Sequence, residues 1–181
     1  MANKIQKKTL DGKSHWALLV IDVQNGLFNK TTPIYKADEL LKKINNLVSI
    51  AHENGSPVVY IQHSNPSTLV YGSKDWQLHP AITPEKRDFQ VHKKHGNSFE
   101  ETNLSDLLES NSVNSLVMTG LVTHGCVKST CIGALDLGYD VVLEEDAHSS
   151  YSKDAFDLIK KWNTQLSSLG AEVKPTSEIM F

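Results

Sequence analysis

A chain of 181 residues, 39% hydrophobic and 22% charged, can bury one sizeable core and fits a single domain over 1–181. Its formal net charge of -3 is spread along the sequence, which argues against nucleic acid or an anionic membrane as partner. No apolar run is long enough to cross a bilayer.

Residues 1–14, MANKIQKKTLDGKS, are polar and lysine-rich, without the apolar core of a secretory signal, and read as a surface leader. His15 to Ile21 is then a nearly continuous apolar run, suited to a strand buried on both faces. It ends at Asp22, which either caps a turn with Asn25-Gly26 or stands at the crevice of a sheet. From Ala37 to Asn54 the apolar residues Leu40, Leu41, Ile44, Leu47, Val48 and Ala51 follow helical spacing, and Gly55 with Pro57 ends the helix. Val58 to Ile61 is the second strand, parallel to the first through a right-handed crossover.

The segment 63–87 contains Pro66, Gly72, Pro80 and Pro84 and no sustained period, so it is a long excursion that shapes a site or anchors itself by burying Trp76. Phe89 to His92 alternates as a short third strand and delivers Lys93-Lys94. Asn103 is placed to cap a helix beginning at Leu104, and Ser115 to Met118 is the fourth strand. Next come Gly120 to Gly125 and Cys126, where a new helical pattern through Val127, Cys131, Ala134 and Leu135 begins and stops at Gly138. A fifth strand at Val141 to Leu143, a helix from Ser152 and an edge strand at Ala171 to Val173 complete the alternation. The order argues an α/β domain, a mostly parallel sheet with helices on both faces in three layers.

Such sheets bind ligands at the carboxyl ends of their strands, which is where Asp22, Lys93 and Cys126 all fall. A thiol at a helix start is expected to ionise more easily than in water, helped by a nearby ammonium; a carboxylate can carry its proton. The competing reading of Cys126 is a small buried hydrophobe. The two cysteines, five positions apart, would stand about 140° apart around a helix axis. They are poor disulfide partners, and a reduced, cytoplasmic setting is expected.

Four motifs carry a family resemblance: Ile21-Asp22-Val23-Gln24-Asn25 with Phe28; Lys93 with Asn97-Ser98-Phe99; Gly120-Leu121-Val122-Thr123-His124-Gly125-Cys126-Val127; and Gly138-Tyr139-Asp140-Val141 with Asp146-Ala147. In this order they resemble the isochorismatase-like cysteine hydrolase superfamily. The resemblance implies a six-stranded Rossmann-like sheet and a catalytic triad of Asp22, Lys93 and Cys126. It also implies a cis peptide between Val122 and Thr123, with the Thr123 and Cys126 amides as the oxyanion hole, and a homodimer or homotetramer. Gln24, Phe28, Trp76 and Tyr151 are the candidates for the substrate-binding wall. The metal-binding nicotinamidases of the superfamily carry an Asp-x-His cluster after the second strand. Here that place reads Gln62-His63-Ser64, so neither a metal nor any other cofactor is expected, and His63, His79, His92, His95, His124 and His148 show no ligand spacing.

The function implied is hydrolysis of a non-peptide carbon–nitrogen bond in a small molecule (amide, ureido or carbamoyl) through a thioester. The alternatives are a vinyl-ether hydrolase of the isochorismate type, in which Cys126 would be dispensable, and a non-enzymatic α/β binding module. A nucleotide-binding reading is weaker, because no glycine-rich phosphate fingerprint follows the first strand.

Overall fold

The computed structural model describes residues 13–181, so the leader read over 1–14 lies almost wholly outside the described residues. Six strands form one sheet in the order β3-β2-β1-β4-β5-β6, every neighbouring pair parallel. They are β1 (Trp16–Ile21), β2 (Val58–His63), β3 (Phe89–Lys93), β4 (Ser115–Leu121), β5 (Asp140–Ser149) and β6 (Glu172–Lys174). The helices are α1 (Asn25–Phe28), α2 (Ala37–Glu53), α3 (Leu104–Ser110), α4 (Lys128–Asp136) and α5 (Ala155–Leu169). No helix among the described residues is long and apolar enough to cross a membrane.

The apolar runs of β1 and β4 are continuous because both of their faces are covered. Alternate residues Leu19, Ile21, Leu116 and Met118 pack with Leu104 and Leu108 of α3, Cys131 and Ala134 of α4, and Leu166 of α5. Leu18, Val20, Val58 and Tyr60 pack on the other face against Leu40, Ile44, Leu47 and Ala51 of α2. The chain winds outward from β1 to β3, then returns to β4 and winds the other way, which makes the β1/β4 boundary a topological switch point.

Several boundaries differ from the sequence reading. Asn25–Phe28 is a short helix where a plain turn was expected, and α5 begins at Ala155, not Ser152. Asn103 occupies the N-cap position of α3 without a side-chain cap bond; the Thr102 hydroxyl accepts the Leu104 N–H instead (3.2 Å). β5 runs ten residues, where three were expected, and carries a bulge: Leu143 stands opposite Met118, but His148 stands opposite Gly120. Glu144 fills that bulge. Its carboxylate is fully buried and accepts from the Asp146 N–H (2.7 Å), the Ala147 N–H, and the Thr176 N–H (3.1 Å) and hydroxyl (2.6 Å).

At the switch point the backbone of β4 leaves no room for a side chain beside β1. Gly120, paired with Ile21, has φ +115°, and a Cβ there would lie 2.1 Å from the Ile21 carbonyl oxygen.

Candidate active site

Asp22 leaves β1 in the left-handed region (φ +52°), a conformation that costs a non-glycine residue about 1 kcal/mol and turns the chain off the strand. Its side chain is 2% exposed, and Oδ2 accepts from Lys93 Nζ at 2.9 Å, while Oδ1 is buried with no hydrogen-bond partner among the described residues. Lys93, equally buried at the end of β3, also donates to the carbonyls of His95 (3.2 Å) and Gly96 (3.4 Å). Burial alone would lower the Lys93 pKa; the Asp22 carboxylate and Cys126 outweigh it, so the ammonium is held above its ordinary value.

Cys126 stands in a wide turn, Thr123–Val127, that is broken at Gly125 (φ -114°, ψ -110°) and runs into α4. Its Sγ, a carboxylate oxygen of Asp22 and a ring nitrogen of His63 all lie within 4.8 Å of one another. The structure therefore brings Asp22, Lys93 and Cys126 to one place from the ends of three strands. It reverses the expected direction for the thiol, however. Burial first, and then the Asp22 carboxylate, push the Cys126 pKa up to about 12 against the opposing pull of Lys93. Removal from water and the neighbouring anion thus both favour the protonated thiol.

His63 is the site residue that sequence reasoning missed. It closes β2, in register with Lys93 on β3, and so stands between the strand ends that carry Asp22 and Lys93. Burial and then the Lys93 charge hold its pKa below the ordinary value. Ending the second strand at Ile61 had left it in the excursion; two more residues of strand would have put it on the same rim.

A cavity of about 200 Å³ opens over Asp22, His63 and Cys126, walled by Leu27, Leu69, Val122 and Tyr151 with Lys30 beside them. Of the four residues expected in the wall, Tyr151 lines it. Gln24 does not: it is fully buried and bonded to backbone, donating to the carbonyls of His63 (3.0 Å) and Trp76 (2.7 Å) and accepting the His63 N–H (2.8 Å). Gln24→Ala is accordingly expected to lower unfolding free energy by about 2 kcal/mol in urea titrations, through the partners it leaves unpaired. Phe28 lies against His79 (ring centroids 4.4 Å apart), and Trp76 against Tyr71 and His92, so both serve to pin the excursion.

The cis peptide falls between Leu121 and Val122, one bond earlier than expected. Val122 lines the cavity, whereas Thr123 is 1% exposed and its hydroxyl meets His148 Nδ1 at 2.9 Å. His148 Nε2 lies 2.9 Å from Asn163 Oδ1, and Asn163 Nδ2 donates to the Glu145 carbonyl (2.7 Å). That order leaves Oδ1 as acceptor, places the imidazole hydrogen on Nε2, and makes Thr123 the donor to Nδ1. Desolvation lowers the His148 pKa to about 4. An unfolded chain takes up this proton first, near pH 6.5, so the neutral histidine's contribution is complete above that pH and lost as pH falls toward 4. The loss amounts to about 3 kcal/mol. In urea unfolding, the stability gap between wild type and His148→Asn should narrow by that amount between pH 7 and pH 4.

A parallel α/β sheet whose switch point holds a thiol beside a buried carboxylate–ammonium pair defines the class of site. The chain belongs to the isochorismatase family: the model for the isochorismatase domain matches residues 16–170. It is 32% identical to a streptothricin hydrolase of Streptomyces noursei over 86% of this chain and 58% of that protein, and so spans little more than half of that relative's length. Among solved structures, an isochorismatase family protein superposes with a TM-score of 0.83 at 29% identity, covering 87% of this chain and 96% of that one. The N-carbamoylsarcosine amidase of Thermoplasma acidophilum superposes with a TM-score of 0.79 at 25% identity, covering 91% and 98%. The family is one of hydrolases and includes amidohydrolases.

Proposed function

We propose that the chain hydrolyses a non-peptide carbon–nitrogen bond in a small molecule by covalent catalysis at Cys126. The observation that carries this reading is the buried Asp22–Lys93 pair beside the Cys126 sulfur. A neutral thiol needs a base at the moment of attack, and Asp22 is the adjacent carboxylate. Lys93 pairs with that carboxylate at 2.9 Å, both side chains being buried. Asp22 takes the thiol proton as sulfur attacks an amide, ureido or carbamoyl carbon, and returns it to the departing nitrogen. Water, activated by the same carboxylate, then cleaves the thioester and restores the thiol.

The carbonyl oxygen that becomes negative needs hydrogen-bond donors from the turn after β4. The Cys126 amide is one. Val122, which borders the cavity, is better placed to supply the second than the buried Thr123 expected from sequence. The solved relative named as an N-carbamoylsarcosine amidase supports a carbon–nitrogen bond as the target. The small cavity favours a compact acyl group, with Tyr151 and Lys30 among the residues that line it. Assaying amine or ammonia release from a panel of small amides, ureides and carbamoyl compounds, with streptothricin included, tests the reading. Pyruvate release from isochorismate without any amide cleavage would replace it by vinyl-ether hydrolysis.

A further inference from the structure

Three donors of different chemistry converge on the cavity: a carboxylate oxygen of Asp22, an imidazole nitrogen of His63 and the sulfur of Cys126, mutually within 4.8 Å. Donors 2.0–2.3 Å from a tetrahedral zinc ion stand about 3.5 Å apart, so closing on an ion requires movements of about 1 Å, within the reach of side-chain rotation. Two of the three donors are short of partners. Asp22 Oδ1 and His63 Nδ1 are both buried atoms without a hydrogen bond among the described residues. Lys93 occupies only the other carboxylate oxygen. With its ring hydrogen on Nε2, a neutral imidazole presents the Nδ1 lone pair as a zinc donor.

We propose that Asp22, His63 and Cys126 bind a thiophilic divalent cation of the zinc type, leaving a fourth position open to water, and that the bound ion holds the pocket in an inactive state. Mixed sulfur, imidazole and carboxylate ligation suits zinc and disfavours magnesium or calcium, which take oxygen ligands. Binding exchanges the S–H bond for a metal–sulfur bond and releases one proton to solvent; no oxidation state changes. The ion's two positive charges are offset by the thiolate and the Asp22 carboxylate, so the neighbouring ammonium of Lys93 does not forbid it. While bound, the ion takes the sulfur lone pair and engages the carboxylate, the two groups that covalent catalysis requires. The site differs from a resident catalytic metal in consuming the nucleophile.

The test reads binding without turnover. Metal-free full-length protein is titrated with Zn2+ in a calorimeter and with Co2+ in a spectrophotometer. The expected result is one ion per chain, a sulfur-to-cobalt charge-transfer band, and visible bands of tetrahedral intensity. Cys131 is fully buried and cannot supply that sulfur, so Cys126→Ala abolishes the charge-transfer band. His63→Ala and His63→Gln weaken Zn2+ binding by at least about 100-fold, since loss of even an outer-shell partner can cost that much. Both histidine variants keep the backbone N–H that Gln24 holds, and circular dichroism checks that they fold. Absence of a sulfur band, its survival in Cys126→Ala, or wild-type affinity in both His63 variants overturns the proposal. Zinc binding in a protein that cleaves none of the amide panel would leave the metal site standing and remove the hydrolase reading.

Discussion

Cys126→Ala is expected to reduce turnover by at least about 10^4-fold, because every later step of a thioester route depends on the sulfur it removes. Stability should change by no more than about 1 kcal/mol, since the side chain is only partly buried and its replacement fits the same turn. The measurement is steady-state release of amine or ammonia from whichever panel compound wild type cleaves, alongside urea unfolding of both proteins. Retained activity in a folded Cys126→Ala protein would end covalent catalysis as an explanation. Asp22→Asn separates the two chemistries further. It keeps the thiol but removes the proton carrier, so a thioester route collapses as completely as in the cysteine variant, while Lys93 is left as an uncompensated buried charge.

The largest effect on stability is expected at Gly120. Alanine there must hold φ near +115° and place its methyl group 2.1 Å from a backbone oxygen of the neighbouring strand. Strain of about 1–2 kcal/mol and a backbone clash of about 1–3 kcal/mol together give about 4 kcal/mol, enough to unfold many domains. Gly55 supplies the control. Its φ of +71° carries similar strain, but a Cβ would meet nothing within 4 Å, so Gly55→Ala should cost only about 1 kcal/mol. Equal midpoints for the two variants in denaturant would mean that β1 and β4 can separate freely, against the tight switch point described above.

Most of the sheet was legible because its strands are buried on both sides and its longest helix is amphipathic. The runs His15 to Ile21 and Ser115 to Met118, and the spacing from Leu40 to Ala51, leave little alternative, although the fourth strand runs on to Leu121. β5 was less legible because hydropathy fails where the strand bulges. Glu144, Glu145 and Asp146 look like a loop, yet Glu144 is interior, its carboxylate occupied by the backbone and by Thr176. Asp22, Lys93 and Cys126 were legible as candidates from their places on one rim: Asp22 ends an apolar run, Lys93 closes a short alternating strand, and Cys126 follows the glycine-flanked turn after the fourth strand. His63 was not, since its importance comes from register, the pairing that sets it beside Lys93, and register is a property of two strands together. Gln24 misled for the opposite reason: a motif position beside Asp22 suggests contact with a ligand, whereas its amide ties the excursion to β2.

Lys93 sits on β3, the outermost strand on its side among the described residues. Its partner carboxylate hangs from β1 in the interior of the sheet. If the pocket works as proposed, such a division makes the rim its weakest part: fraying at one margin would withdraw the cation while the middle strands still hold together. Activity is then expected to fall on warming before the molecule collapses, and whatever shields that margin would also protect the chemistry.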